Sequence, residues 1–179
     1  MYEPKPGDIG ITTISGWGGF GIHLGQLALG CGWKARQHAF VVSEIRDDGP
    51  WIVEAMPGGA RHVADWHDPA RTVYLRCPDA FRTGVAAAAR GYVGVPYSWL
   101  DYDALAAHRL HIPYPQLKTY IKASHHMICS QLADQAAADG GWHLFKDERW
   151  PGDVSPCALE QLYRQQEKAR VKGDGEVSR

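Results

Sequence analysis

The sequence predicts an α+β domain, and three observations carry that expectation. Strand-like stretches crowd the first 76 residues, and helix-like stretches follow from residue 78 on. Residues 38–45 (HAFVVSEI) and 51–56 (WIVEAM) are rich in β-formers and flank Asp47-Asp48-Gly49-Pro50, a turn signal, so they form a hairpin. From Cys129 onward, Leu132, Ala133, Ala136 and Ala137 recur at helical spacing until Gly140-Gly141 supplies a stop. The picture is an antiparallel sheet with a buried helix packed on it.

The elements follow in order. Pro4 and Pro6 make an extended lead-in, and residues 8–13 (DIGITT) form a short strand. Residues 15–21 are a glycine-rich loop with Trp17 and Phe20, opening into a helix over 22–29. No Gly-Lys-Ser/Thr ending follows, so the loop is not a phosphate cradle. After the hairpin, Pro57-Gly58-Gly59 breaks the chain. Residues 61–66 and 72–76 add two further strands, making a four-strand antiparallel meander. Asp79 caps a helix over 81–90 whose four consecutive alanines require a close neighbour. Residues 91–99 (GYVGVPYSW) break it, a short helix is placed at 102–108, and Pro113 and Pro115 force an extended piece. The cysteine-bearing helix spans about 128–139, and Pro156 opens a last helix over about 157–166.

The chain has 179 residues, enough for a real core in one domain, placed at 1–167, with a polar tail at 168–179 expected to be flexible. A net charge of −1 gives no global field to attract nucleic acid or an anionic membrane. No apolar run is long enough to insert stably in a bilayer. The N-terminus lacks the basic-then-apolar order of a signal peptide. Cytoplasmic location is the expectation, with export by an unseen route the alternative. Cys31, Cys77, Cys129 and Cys157 contain no CxxC pair, which argues against structural zinc and for free thiols. Cys31 and Cys77 read as small buried residues. Composition is silent on oligomeric state.

Three polar residues invite chemistry. Cys129 sits at the first turn of its helix, where unpaired N–H groups and the helix dipole favour thiolate over thiol. The competing reading is a small apolar residue on the helix's inner face. His38 begins a strand. Glu54 stands inside an otherwise apolar strand, where a carboxylate is costly without a partner. A carboxylate that accepts from one imidazole nitrogen leaves the other free to take a thiol proton. Cysteine, histidine and carboxylate are the nucleophile, base and base-orienter of a thiol hydrolase. Register is the difficulty. A symmetric turn at Asp48 sets Glu54 opposite Val42 rather than His38, so the pair needs a diagonal approach, a bulge or an asymmetric loop.

With the hairpin ahead of the cysteine, the sequence resembles the circularly permuted NlpC/P60 cysteine hydrolases, the YiiX/YebB-like branch of the papain-like superfamily. The resemblance is carried by Gly7-Asp8-Ile9, His38-Ala39-Phe40-Val41-Val42, Ile52-Val53-Glu54-Ala55 and Cys129-Ser130-Gln131-Leu132. Gly94-Val95-Pro96-Tyr97-Ser98-Trp99 is similar to the GxPYxW segment of ordinary NlpC/P60 domains. It implies a papain-like fold of permuted connectivity, with Cys129 as nucleophile, His38 as base, Glu54 as the polar third residue and Tyr97 as an oxyanion donor. The usual residue after Cys-Ser is Glu, where this chain has Gln131.

The implied activity is hydrolysis of an amide (peptide, isopeptide or peptidoglycan stem) or ester bond through an acyl-enzyme, on a peptide-like or acyl-amide substrate. An acyltransferase using the same triad is the alternative, favoured if Trp17, Phe20 and Trp99 line an apolar substrate groove. A non-catalytic binding module of the same fold is the other. No cofactor is expected, and no metal. Adjacent His125 and His126 point opposite ways on an extended piece, Pro113 limits the helix that would align His108 with His111, and His62 and His67 merely flank a turn.

Overall fold

A computed structural model describes residues 2–14, 36–97, 127–146 and 154–176, with side chains described to residue 172. Its centre is a five-stranded antiparallel sheet, in the order β4-β3-β2-β1-β5. The strands are β1 (Ile9–Thr12), β2 (His38–Arg46), β3 (Gly49–Met56), β4 (Gly59–Ala64) and β5 (Val73–Leu75). Three helices accompany them among the described residues: α1 (Arg82–Gly91), α2 (Cys129–Asp139) and α3 (Pro156–Glu176). The architecture is α+β. No described helix is long and apolar enough to cross a membrane.

Alternation along the strands gives the sheet two faces. Ile9, Ile11, Ala39, Val41, Val53, Ala55 and Leu75 join one buried cluster with Val85 and Ala89 of α1 and Leu132, Ala133, Ala136 and Ala137 of α2. Phe40, Val42 and Ile52 form a second cluster with Val63 and Tyr74. The neighbour required by the alanine-rich α1 is α2. A Cβ on Gly140, at the end of α2, would lie 2.4 Å from the backbone nitrogen of Val85, so the approach needs a glycine there.

The hairpin expected from the sequence is present, and its details decide the site. Arg46 pairs with Gly49, which leaves a two-residue loop. Continued without interruption, that register would put Glu54 opposite Val41, on the wrong face for His38. The register shifts between Val42 and Glu44, so Val42 pairs with Ile52 and Phe40 with Glu54. The bulge at Ser43 therefore returns Glu54 to the face of Phe40 and His38. Ser43 is held there by its hydroxyl, which donates to the Trp51 carbonyl at 2.9 Å and meets His62 Nε2 at 2.8 Å.

Several expectations are corrected. The four strands do not continue as a meander: β2, β3 and β4 do, but β5 crosses to the opposite edge and pairs with β1. Strand β1 is buried along its whole length and needs a neighbour on both sides, whereas β4 carries exposed Arg61 and half-buried His62 and suits an edge. Pro57-Gly58 is a tight turn rather than a break; Met56 pairs with Gly59, and Gly58 takes φ +106°, a conformation that favours glycine. Asp79 does not cap α1. Phe81 occupies that position, and Asp79 reaches the Arg82 side chain at 2.7 Å instead. Helix α3 runs on to Glu176, past the end expected near residue 166. Glu160–Arg164 and Glu167–Arg170 pairs on successive turns support it. Cys77 and Cys129 are free thiols, but Cys157 is disulfide-bonded, a pairing that leaves no local spacing pattern to read.

Candidate active site

The site is assembled at the start of α2. Cys129 is the first helical residue, 1% exposed. The preceding Ile128 has no side-chain acceptor, so no side-chain cap covers the first turn. Gln131 reaches back and accepts the Ile128 N–H at 3.0 Å, half of a capping box. That gives Gln131 a local role at the helix start. Ser130 donates to the Val154 carbonyl at 2.7 Å and ties the helix start to the lead-in of α3.

His38 opens β2 and Glu54 lies near the end of β3, both fully buried. His38 Nε2 donates to Glu54 Oε2 at 2.8 Å. The same ring hydrogen-bonds the Cys129 side chain, whose sulfur also lies 4.0 Å from the Gln37 carbonyl oxygen. Burial alone would lower the basicity of this imidazole. Hydrogen bonds and charge from Cys129 and Glu54 outweigh it, and the ring is pushed up to about 9. Burial works against the Glu54 carboxylate too, but His38, Trp66 and Arg61 overcome it and hold the group down at about 2. Glu54 is thus held ionised, and the His38 ring between it and Cys129 is made more basic.

Glu54 is better partnered than the sequence suggested. Its Oε1 accepts from Arg61 Nε at 2.9 Å and Nη2 at 2.7 Å, and from Trp66 Nε1 at 2.9 Å. Arg61 stands directly opposite Glu54 in the β3–β4 pair. The Pro57-Gly58 turn carried that signal, since a two-residue loop fixes the opposing residue. Trp66 and His67 follow β4, and no sequence periodicity places them. His67 Nε2 lies 3.5 Å from Glu54 Oε2.

His38, Glu54 and His67 are the one group among the described residues whose donor atoms approach closely enough for a metal ion, all within 4.8 Å. An ion there would displace the proton shared by His38 and Glu54 and would sit beside the Arg61 guanidinium, which already neutralises the carboxylate. His62 and His67 lie either side of the turn, His62 toward Ser43 and His67 toward Glu54.

Tyr97 is half-buried. Its backbone forms a parallel bridge with Met127, two residues before Cys129, and its ring packs against Ile128. Trp17, Phe20 and Trp99, expected to bind substrate, lie outside the described residues, as do Cys31, His108, His111, His125 and His126. The sequence thus brings Cys129, His38 and Glu54 into one buried contact, with Tyr97 beside the same helix start. A comparison with protein-family models finds no match to this chain, and a comparison with curated proteins finds none either.

Proposed function

We propose that this chain is a cysteine hydrolase of papain-like type with permuted connectivity, cleaving an amide or ester bond through an acyl-enzyme on Cys129. One observation carries the reading. A buried imidazole bridges a thiol and an ionised carboxylate contributed by three segments distant in sequence. The placing of the hairpin before the nucleophile helix supports the permuted order.

The chemistry follows from the pair. The Cys129 thiolate attacks the carbonyl carbon, and a C–S bond forms as the carbonyl electrons move to oxygen. Backbone N–H groups of the first α2 turn and the Tyr97 hydroxyl are the donors assigned to that oxyanion. His38 passes its proton to the leaving nitrogen or oxygen as the scissile bond breaks. Now neutral, it takes a proton from water, which attacks the thioester. Collapse releases a carboxylic acid and restores the thiolate and the imidazolium. Glu54 keeps the ring oriented throughout and takes no proton.

The test is labelling with an electrophilic acyl probe, mapped by mass spectrometry. Cys129 is the expected adduct, lost in Cys129→Ala and kept in Cys77→Ala. Labelling that survives Cys129→Ala would remove the nucleophile and leave a binding module as the better account. Product analysis with and without an amine acceptor then separates hydrolysis from acyl transfer.

A further inference from the structure

We propose that His67 is a positioning residue for Glu54, sharing the carboxylate oxygen that holds His38 and so setting how tightly His38 keeps its proton. The inference rests on the reading of Cys129, His38 and Glu54 as a reacting set, and it adds a member which neither the sequence nor the resemblance supplies.

The His67 ring is clamped. It stacks on Phe40 with centroids 4.5 Å apart and planes 5° apart, and on Trp66 at 4.2 Å. Phe40 is fixed in turn. Its ring lies over Gly10, where an added Cβ would come within 2.1 Å of it. Only 2% of the His67 side chain is exposed. Asp65 Oδ1 accepts both the His67 backbone N–H at 3.0 Å and Nδ1–H at 2.8 Å, which fixes the ring's rotation. Nε2 is left buried with no hydrogen-bond partner at ordinary length. It points toward Glu54 Oε2, 3.5 Å away, the oxygen that His38 Nε2 meets at 2.8 Å.

The result is a run of alternating carboxylate and imidazole: Asp65, His67, Glu54, His38, ending on the Cys129 sulfur. Among the described residues, the other charged or titratable groups around the ring are few. Arg61 on β4 acts through Glu54, Tyr74 on β5 lies 3.5 Å from Asp65 Oδ2, and Tyr2, Glu3 and Arg76 share with His67 the wall of a cavity of about 580 Å³. With Nδ1–H on Asp65, Nε2 is a donor to Oε2 when the ring carries both protons; that second N–H then draws charge from the His38–Glu54 bond, because one oxygen serves two donors. The proton on His38 becomes easier to pass to a leaving group.

His67→Phe is the deciding variant, because it keeps a ring between Phe40 and Trp66 and removes both nitrogens. Two readouts are taken across pH: kcat with KM, and the rate of Cys129 alkylation by iodoacetamide. Without the second donor, the alkaline limb should move up by about 0.5 pH unit and kcat should fall about tenfold, with KM and Tm near the parent's. His67→Gln, which retains an N–H donor, should recover most of kcat. A parental pH profile in His67→Phe overturns the inference and leaves His67 a packing residue. If His67→Phe does not fold, Asp65→Asn carries the test, with a smaller shift in the same direction expected and an unmoved profile overturning it. Failure of the underlying reading looks different: Cys129 of the parent itself would not alkylate ahead of Cys77.

Discussion

Two buried thiols in this molecule each lie beside a buried carboxylate held by an arginine, and they differ by one ring. At Cys77, the backbone N–H donates to Asp8 Oδ1 at 2.9 Å, and Arg82 Nη1 meets the same oxygen at 2.7 Å. At Cys129, the carboxylate is Glu54, the arginine is Arg61, and His38 stands between carboxylate and sulfur. Burial pushes the Cys77 thiol up to about 11, with Asp8 and Asp79 adding to it and Arg82 only partly offsetting it. Among the described residues, the charged groups acting on Cys77 are Arg82, Asp8 and Asp79, none of them an imidazole. At Cys129 there is one, His38. The comparison teaches that burial and a nearby ion pair do not make a nucleophile; an interposed base does.

The largest effect expected from breaking this contrast is at the sulfur. Cys129→Ala should abolish turnover, and Cys77→Ala should leave kcat and KM at the parental values, measured on the same acyl substrate. Removing the ring comes next. His38→Ala makes the second thiol resemble the first, so kcat should fall roughly 1,000-fold with the fold retained by circular dichroism. Retained activity in that variant would strike His38 from the mechanism.

The two carboxylates sharpen the comparison further. Asp8 accepts from Tyr2, the Lys5 N–H, the Cys77 N–H and Arg82; Glu54 accepts from His38, Arg61 and Trp66. Neutralising either breaks a buried ion pair, so Asp8→Asn and Glu54→Gln should each lose about 3 kcal/mol in denaturant unfolding. Only Glu54→Gln should also lose activity per folded molecule, by roughly 100-fold. Equal activity losses in both variants would make Glu54 a structural carboxylate like Asp8.

Much of this was legible in the sequence, for definite reasons. The Asp47-Asp48 turn, the β-rich flanks and the periodic run from Cys129 to Ala137 are local signals, and each produced its element. Asp79 misled because it sits two positions too early to cap and finds Arg82 instead. The bulge at Ser43 was not legible. It depends on a hydroxyl meeting Trp51 and His62 across strands, yet it decides which face Glu54 occupies. The crossing of β5 to β1 reflects the burial of β1 on both sides, a demand of the whole sheet. Arg61 was within reach of sequence reasoning through the Pro57-Gly58 loop. Trp66 and His67 were not, since their places follow from the Asp65 turn and from stacking on Phe40.

The smallest expected effect is on pH. His38 is raised from an ordinary 6.5 to about 9, so its contribution to stability is complete below pH 6.5 and is lost as pH rises through 9. Activity should fall over the same upper limb as the proton for the leaving group disappears. His38→Ala should show a flatter dependence of Tm on pH between 6.5 and 9 than the parent.

The most direct measurement is the pH dependence of alkylation at Cys129 and Cys77 in one sample, followed site by site by mass spectrometry. Cys129 should react fast already at pH 6.5, and slow sharply at that pH in His38→Ala. Cys77 should stay inert until pH approaches its value of about 11. Two thiols that rise together only above pH 8, indifferent to His38, would contradict the account.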